Sequence, residues 1–184
     1  MKKVNKFVKV ISKILEIVHW VAAGIRVAAA ICSAVGSQWL GHFVDLNGLE
    51  NESMISVYGF EADIANAAGE VNMTTMLLFS IGAVIIFILV AMIFRNIHLI
   101  VKRSENGSPF QDDNIRMLRE IGIFSIAIPV VGFIMSVIIR LVVGVDMVET
   151  SVRFDGCVMG LIVLCLTQFF IYGAELEKDV DGLL

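Results

Sequence analysis

Cationic side chains are missing where a soluble protein would scatter them. The segment from Ser37 to Thr74 has no lysine or arginine, although it carries Asp45, Glu50, Glu52, Glu61, Asp63 and Glu70. Charged residues make up only 17% of the 184 residues, against about 25% in an ordinary soluble domain. No dense basic stripe with interleaved aromatics occurs, which argues against direct nucleic-acid binding. The three cysteines, Cys32, Cys157 and Cys165, are odd in number and fall in apolar runs. With no partners at ligand spacing they predict neither a disulfide framework nor a metal site, and they read as small buried apolar side chains. The chain also lacks a phosphate-cradling glycine loop, a zinc-protease helix and a nucleophile beside a histidine. No catalytic residue and no cofactor is therefore expected. A transporter would show inverted repeats or broken helices, and neither is visible.

What the chain has instead is long apolar runs. They cover about residues 14–36, 75–101, 121–145 and 156–174, and each reaches the roughly 17–25 residues that cross about 30 Å of hydrocarbon. Segments in lipid must satisfy their own backbone hydrogen bonds, so the runs predict helices. The expected fold is an all-α membrane protein, a bundle of four transmembrane helices in one domain. Eleven of the fourteen basic residues lie before the first run, around the 102–120 link or in the 175–184 tail. By the positive-inside rule that side is the cytoplasm, so both termini are cytoplasmic and residues 37–74 form an outer loop with room for a small folded cap. The basic N-terminus resembles a secretory signal, but Glu16, His19 and Arg26 interrupt its apolar run and predict an uncleaved span. Lys2, Lys6, Lys9, Lys13 and Glu16 recur at helical spacing, which predicts an amphipathic start along the headgroups. In the link, Ser108-Pro109-Phe110-Gln111 pairs an N-cap hydroxyl with proline and a glutamine three residues on, which predicts a helix start.

Few residues stand out chemically. Arg26 lies deep in the first run, where a cation costs about 2.5–3.5 kcal/mol and must face protein or water. His19, Ala23, Ala30 and Ser33 share its face, and Ser125, Pro129, Gly132, Ser136 and Arg140 form a matching stripe on the third run. The two stripes predict either close helix packing or an outward polar vestibule in which His19, Arg26, Ser136 and Arg140 bind an anionic ligand. Arg26 then has an outer-loop carboxylate such as Glu61, Asp63 or Glu70 as partner, or that ligand. His19 and His98 differ in depth, a poor match to paired haem ligands, and His42 reads as a surface residue. Gly156 and Gly160 form a GxxxG suited to internal packing or a homodimer. Pro129 is expected to kink its helix, with Ser125 available to the freed carbonyl. The sequons at Asn51 and Asn72 carry no meaning in a bacterial protein.

Two segments, SPFQDDNIRMLREIG from Ser108 and FIYGAELEKDVDGLL from Phe170, resemble the bacterial membrane family called domain of unknown function 2975. The resemblance rests on Pro109, Phe110, Asn114, Leu118 and Arg119 before the third span, and on Gly173, Leu176, Asp179 and Asp181 in the tail. It implies four spans in the bacterial inner membrane and no assigned activity. Members are often encoded beside a small helix-turn-helix regulator, so the resemblance implies a sensing, self-protection or stress role with such a regulator as partner. Arg116 and Arg119 are placed to pair with Glu175, Glu177, Asp179 or Asp181, a latch that also needs Phe110 and Leu176, because surface ion pairs alone contribute about 0–1 kcal/mol. The first expectation is thus a non-enzymatic regulatory protein docking a partner through link and tail. The alternative is a binder or carrier of an anionic ligand, peptide or haem.

Overall fold

The computed structural model describes residues 2–35, 54–64, 71–105, 107–144 and 155–181. The elements in chain order are α1 (Lys2–Val35), β1 (Met54–Val57), β2 (Phe60–Asp63), α2 (Met73–Ser104), α3 (Asp112–Val142) and α4 (Asp155–Asp181). All four helices are long and apolar enough to cross a membrane. The sequons at Asn51, and His42, Asp45, Glu50, Glu52 and Glu70, lie outside the described residues.

The burial pattern of α1 is the reverse of a soluble helix. Phe7, Ile11, Ile14, Ile17, Val21 and Ile25 are exposed, whereas Ser12, Glu16, His19, Ala23 and Ser33 are buried. The first four buried positions are spaced four, three and four apart, and half-buried Arg26 and Ala30 continue the stripe to Ser33. Apolar faces turned outward are stable when the solvent is hydrocarbon, and the helix satisfies its own backbone there. The expected stripe is therefore present, and it begins earlier than His19, at Ser12 and Glu16.

Helix ends follow local chemistry. At the start of α2, Asn72 Oδ1 accepts hydrogen bonds from the N–H groups of Thr74 (3.1 Å) and Thr75 (3.2 Å), an N-cap. At α3 the expected start is displaced. Ser108 Oγ accepts the N–H of Phe110 at 3.1 Å in a turn, and the helix opens only after Gln111, whose carbonyl accepts from Asn114 and Ile115. Asp112 and Asp113 then occupy the first turn, where carboxylates complement the helix dipole. α1 likewise runs unbroken from Lys2, so its basic start is continuous with the span. Nor does Ser125 serve the carbonyl freed by Pro129. Its hydroxyl donates to Ile121 at 2.8 Å, and the freed carbonyl, four residues before the proline, is Ser125's own.

The described chain forms two compact units. The first contains α1 through His19, α2 from Leu89, α3 through Ala127 and all of α4. Its four segments are joined by side-chain contacts: His98 Nδ1–H donates to the Lys9 carbonyl at 2.9 Å and Asn96 Nδ2 to Glu120 at 2.9 Å. At Gly160 of α4 a side chain would meet Ile126 of α3 at 2.5 Å and the Gly122 carbonyl at 2.7 Å. Two glycines facing each other let these backbones cross closely. Gly160 is thus engaged inside the chain.

The second unit contains the remaining parts of α1–α3 and a β-hairpin. β1 and β2 pair antiparallel, with Val57 opposite Phe60. The two-residue turn places Tyr58 at φ 51° and Gly59 at φ 82°, the left-handed conformations that suit the twist of a tight hairpin. Phe60 is 2% exposed and stacks on Phe79, with centroids 4.7 Å apart and planes 18° apart. Gly82 and Gly132 make room for it. A side chain at Gly82 would meet the Phe60 ring at 2.8 Å, and one at Gly132 would meet Phe60 Cβ at 3.3 Å. The hairpin tip therefore sits between α2 and α3.

Candidate functional site

The first cluster is at the α2–α3 link and the end of α4. Phe110 lies on Gly173, where any side chain would meet its ring at 2.6 Å, and it meets Phe170 with centroids 5.4 Å apart. Ser108 Oγ donates to Glu177 at 2.6 Å, and Lys178 approaches Asp112 at 3.9 Å. Asn114, 1% exposed, donates from Nδ2 to the Pro109 carbonyl at 3.2 Å. Its Oδ1 has no partner among the described residues. Pro109, Phe110, Asn114 and Gly173 are thus brought together in one cluster, of which Asn114 is the buried member.

The latch differs from the expected one in two respects. Leu176 is 66% exposed, so Gly173 and Phe170 receive Phe110 in its place. Arg116 approaches Asp113 (3.9 Å) and Glu120 (3.8 Å) of its own helix. The charge contacts between link and tail run from Lys178 and Ser108, with Asp112 and Glu177 as acceptors. Arg119, Arg116 and Glu175 line an open groove of about 350 Å3, and Phe110, Asp113 and Glu177 line another of about 470 Å3; Asp112, Ala174 and Lys178 belong to both. Asp179 is exposed. Asp181 ends the helix, and its side chain lies outside the described residues.

A second cluster is polar and inside the first unit. Glu16 is buried and accepts Lys13 Nζ at 3.0 Å. His19, also buried, has Nδ1 2.7 Å from the Leu15 carbonyl and its ring beside Phe94 at 5.4 Å. In the same unit, a separate polar pair joins α2 to α3, Asn96 Nδ2 donating to Glu120 at 2.9 Å. Asn96 and Glu120 are not singled out by the sequence, and Glu16 is read there only as a break in the apolar run and part of the amphipathic start. The signal available was a polar residue every three or four positions on α1 and one amide inside the second apolar run.

The third cluster surrounds the hairpin. Arg26 stands over the ring of Phe79, 5.4 Å from its centroid, a cation–π contact that offsets part of its desolvation. Ser136 is buried and donates to the Gly132 carbonyl at 2.9 Å. Arg140, in contrast, is exposed. The space predicted to be a vestibule beside Ser136 is occupied by Phe60. Phe60 and Ser136 line a cavity of about 10 Å3 together with Tyr58 and Pro129 among others, enough for about one water, and neither arginine lines it. Thr75 and Ser80 are fully buried, and their hydroxyls have no hydrogen-bond partner among the described residues.

Among the described residues no group of three or more His, Cys, Asp or Glu is arranged to hold a metal ion. The three cysteines are free, and Cys32 and Cys165 are exposed on apolar helices, not buried as their composition suggested. Compared with known proteins, the chain matches no family model, no curated protein and no solved structure.

Proposed function

We propose that the chain is a non-enzymatic regulatory protein of a bacterial inner membrane, with both ends cytoplasmic, the hairpin toward the outside, and the link and tail as its working surface. One observation supports this above the others. The link is fixed to α4 by Phe110 on Gly173 and by Ser108 and Asp112 on the tail, yet open grooves remain on both sides of Ala174. The likeness to the domain of unknown function 2975 rests on the same residues and makes a helix-turn-helix regulator the first partner to test. A photo-crosslinking amino acid in place of Gln111 or Glu175 should yield a regulator adduct in cells, and one in place of Ile162 on the apolar face should not. Adducts absent from both groove positions in correctly inserted protein would remove the proposal.

A second reading, a binder of a small anionic ligand, is favoured by the Thr75 and Ser80 hydroxyls, which have no hydrogen-bond partner among the described residues, and by Arg26 over Phe79. It requires the hairpin tip to leave its slot. Loss of function in Arg26→Gln with a tolerant link and tail selects this reading; the opposite pattern selects the first.

A further inference from the structure

A further groove flanks the link at the end of α2. It has a volume of about 520 Å3 and is lined by Leu99, Lys102, Arg103, Gln111 and Asp113. Its lining is ordered as a phospholipid is. Leu99 belongs to the apolar run of α2, and Lys102 and Arg103 form the basic last turn directly beyond it. Arg103 is held in place by Asp113, at 2.6 Å, through one of its five N–H donors. The Asp113 carboxylate has Arg103 at 2.6 Å and Arg116 at 3.9 Å, so its charge is compensated and does not repel an anion. Lys102 is exposed and supplies the surplus positive charge. Gln111 adds an amide donor.

We infer that this groove binds the phosphate headgroup of an anionic phospholipid, with Lys102 and Arg103 on the phosphate and an acyl chain along Leu99. The inference rests on the membrane reading of the helices and not on the partner assigned to link and tail. A bidentate guanidinium beside a lysine matches a phosphate diester. The neighbouring apolar wall favours a lipid over free phosphate, which offers nothing to Leu99.

The test is native mass spectrometry of the full-length protein released from nanodiscs of mixed phosphatidylglycerol and phosphatidylcholine. Wild type should retain phosphatidylglycerol, and excess inorganic phosphate should not displace it. Lys102→Gln, which leaves the Arg103–Asp113 pair intact, should lower retention about fivefold, the effect of one basic residue near an anionic surface. Lys102→Gln with Arg103→Gln should lower it further. Lys3→Gln with Lys6→Gln, at exposed positions of α1, should leave it near wild type. Equal loss in that control pair would reduce the effect to general surface charge and overturn the site. So would unchanged retention in Lys102→Gln, or displacement by inorganic phosphate.

Discussion

Gly173 illustrates how one residue fixes the character of the link. The aromatic ring of Phe110 occupies the place of a side chain there, with the nearest ring carbon 2.6 Å from where a Cβ would sit. Gly173→Leu should therefore displace Phe110 and destabilise the protein by about 1–3 kcal/mol, the usual cost of overpacking. Thermal unfolding in detergent measures this, and Phe110→Ala on the same background should recover part of the loss. An undiminished midpoint in Gly173→Leu would show that the two do not touch. At Tyr58, partial burial pushes the phenol above its ordinary value of 10.0. A raised value means that the folded hairpin favours the neutral phenol. That contribution is complete below the unfolded-chain value and fades as pH rises through the folded one. Only Tyr58 and Tyr172 are present, so ultraviolet titration of Tyr172→Phe isolates Tyr58; a midpoint at or below the free-tyrosine value would contradict the burial. Arg26 was readable from its depth in an apolar run. Its partner was not, because a contact with the face of Phe79 depends on a ring 53 positions further along the chain and leaves no mark in local spacing.

At the scale of elements, the helices were legible and their ends less so. Long apolar runs have one outcome in lipid, and all four became helices that extend past the runs into polar sequence. The start of α3 was misplaced because Ser108 suits two local motifs. Its hydroxyl closes a turn on Phe110 and bonds Glu177 of the tail, a tertiary contact that competes with capping. The matching of α3 to α4 also depends on a pair distant in sequence, Gly122 with Gly160. Gly160 was visible as half of a GxxxG, whereas its partner lies on another helix. Gly122→Val should push the crossing apart and lower the unfolding midpoint. The matched change at Gly24, where an added Cβ meets nothing within 4 Å, should be nearly silent. Equal effects at both positions would mean that the crossing is not tight. The hairpin was not legible in the loop sequence. Its residues alternate weakly, and what holds it is the Phe79, Gly82 and Gly132 slot, supplied by helices that the local sequence does not reveal.

For the whole molecule, the polar stripe of α1 and its outward apolar face are the arrangement that a hydrocarbon surrounding favours, on helices long and apolar enough to cross a membrane. In water the same chain would expose Phe7, Ile14, Ile25 and the apolar faces of α3 and α4, and it would aggregate. The functional proposal adds direction to that picture, because the link and tail can meet a soluble regulator only from the cytoplasm. The most direct measurement is labelling of single cysteines in intact cells, with Cys32, Cys157 and Cys165 replaced by serine. A cysteine at Lys3, Gly107 or Lys178 should resist a membrane-impermeant maleimide until the cells are permeabilised, whereas one at Ser56 in the hairpin should react at once. Labelling of the three former sites in intact cells would place the working surface on the wrong side of the membrane and contradict the account.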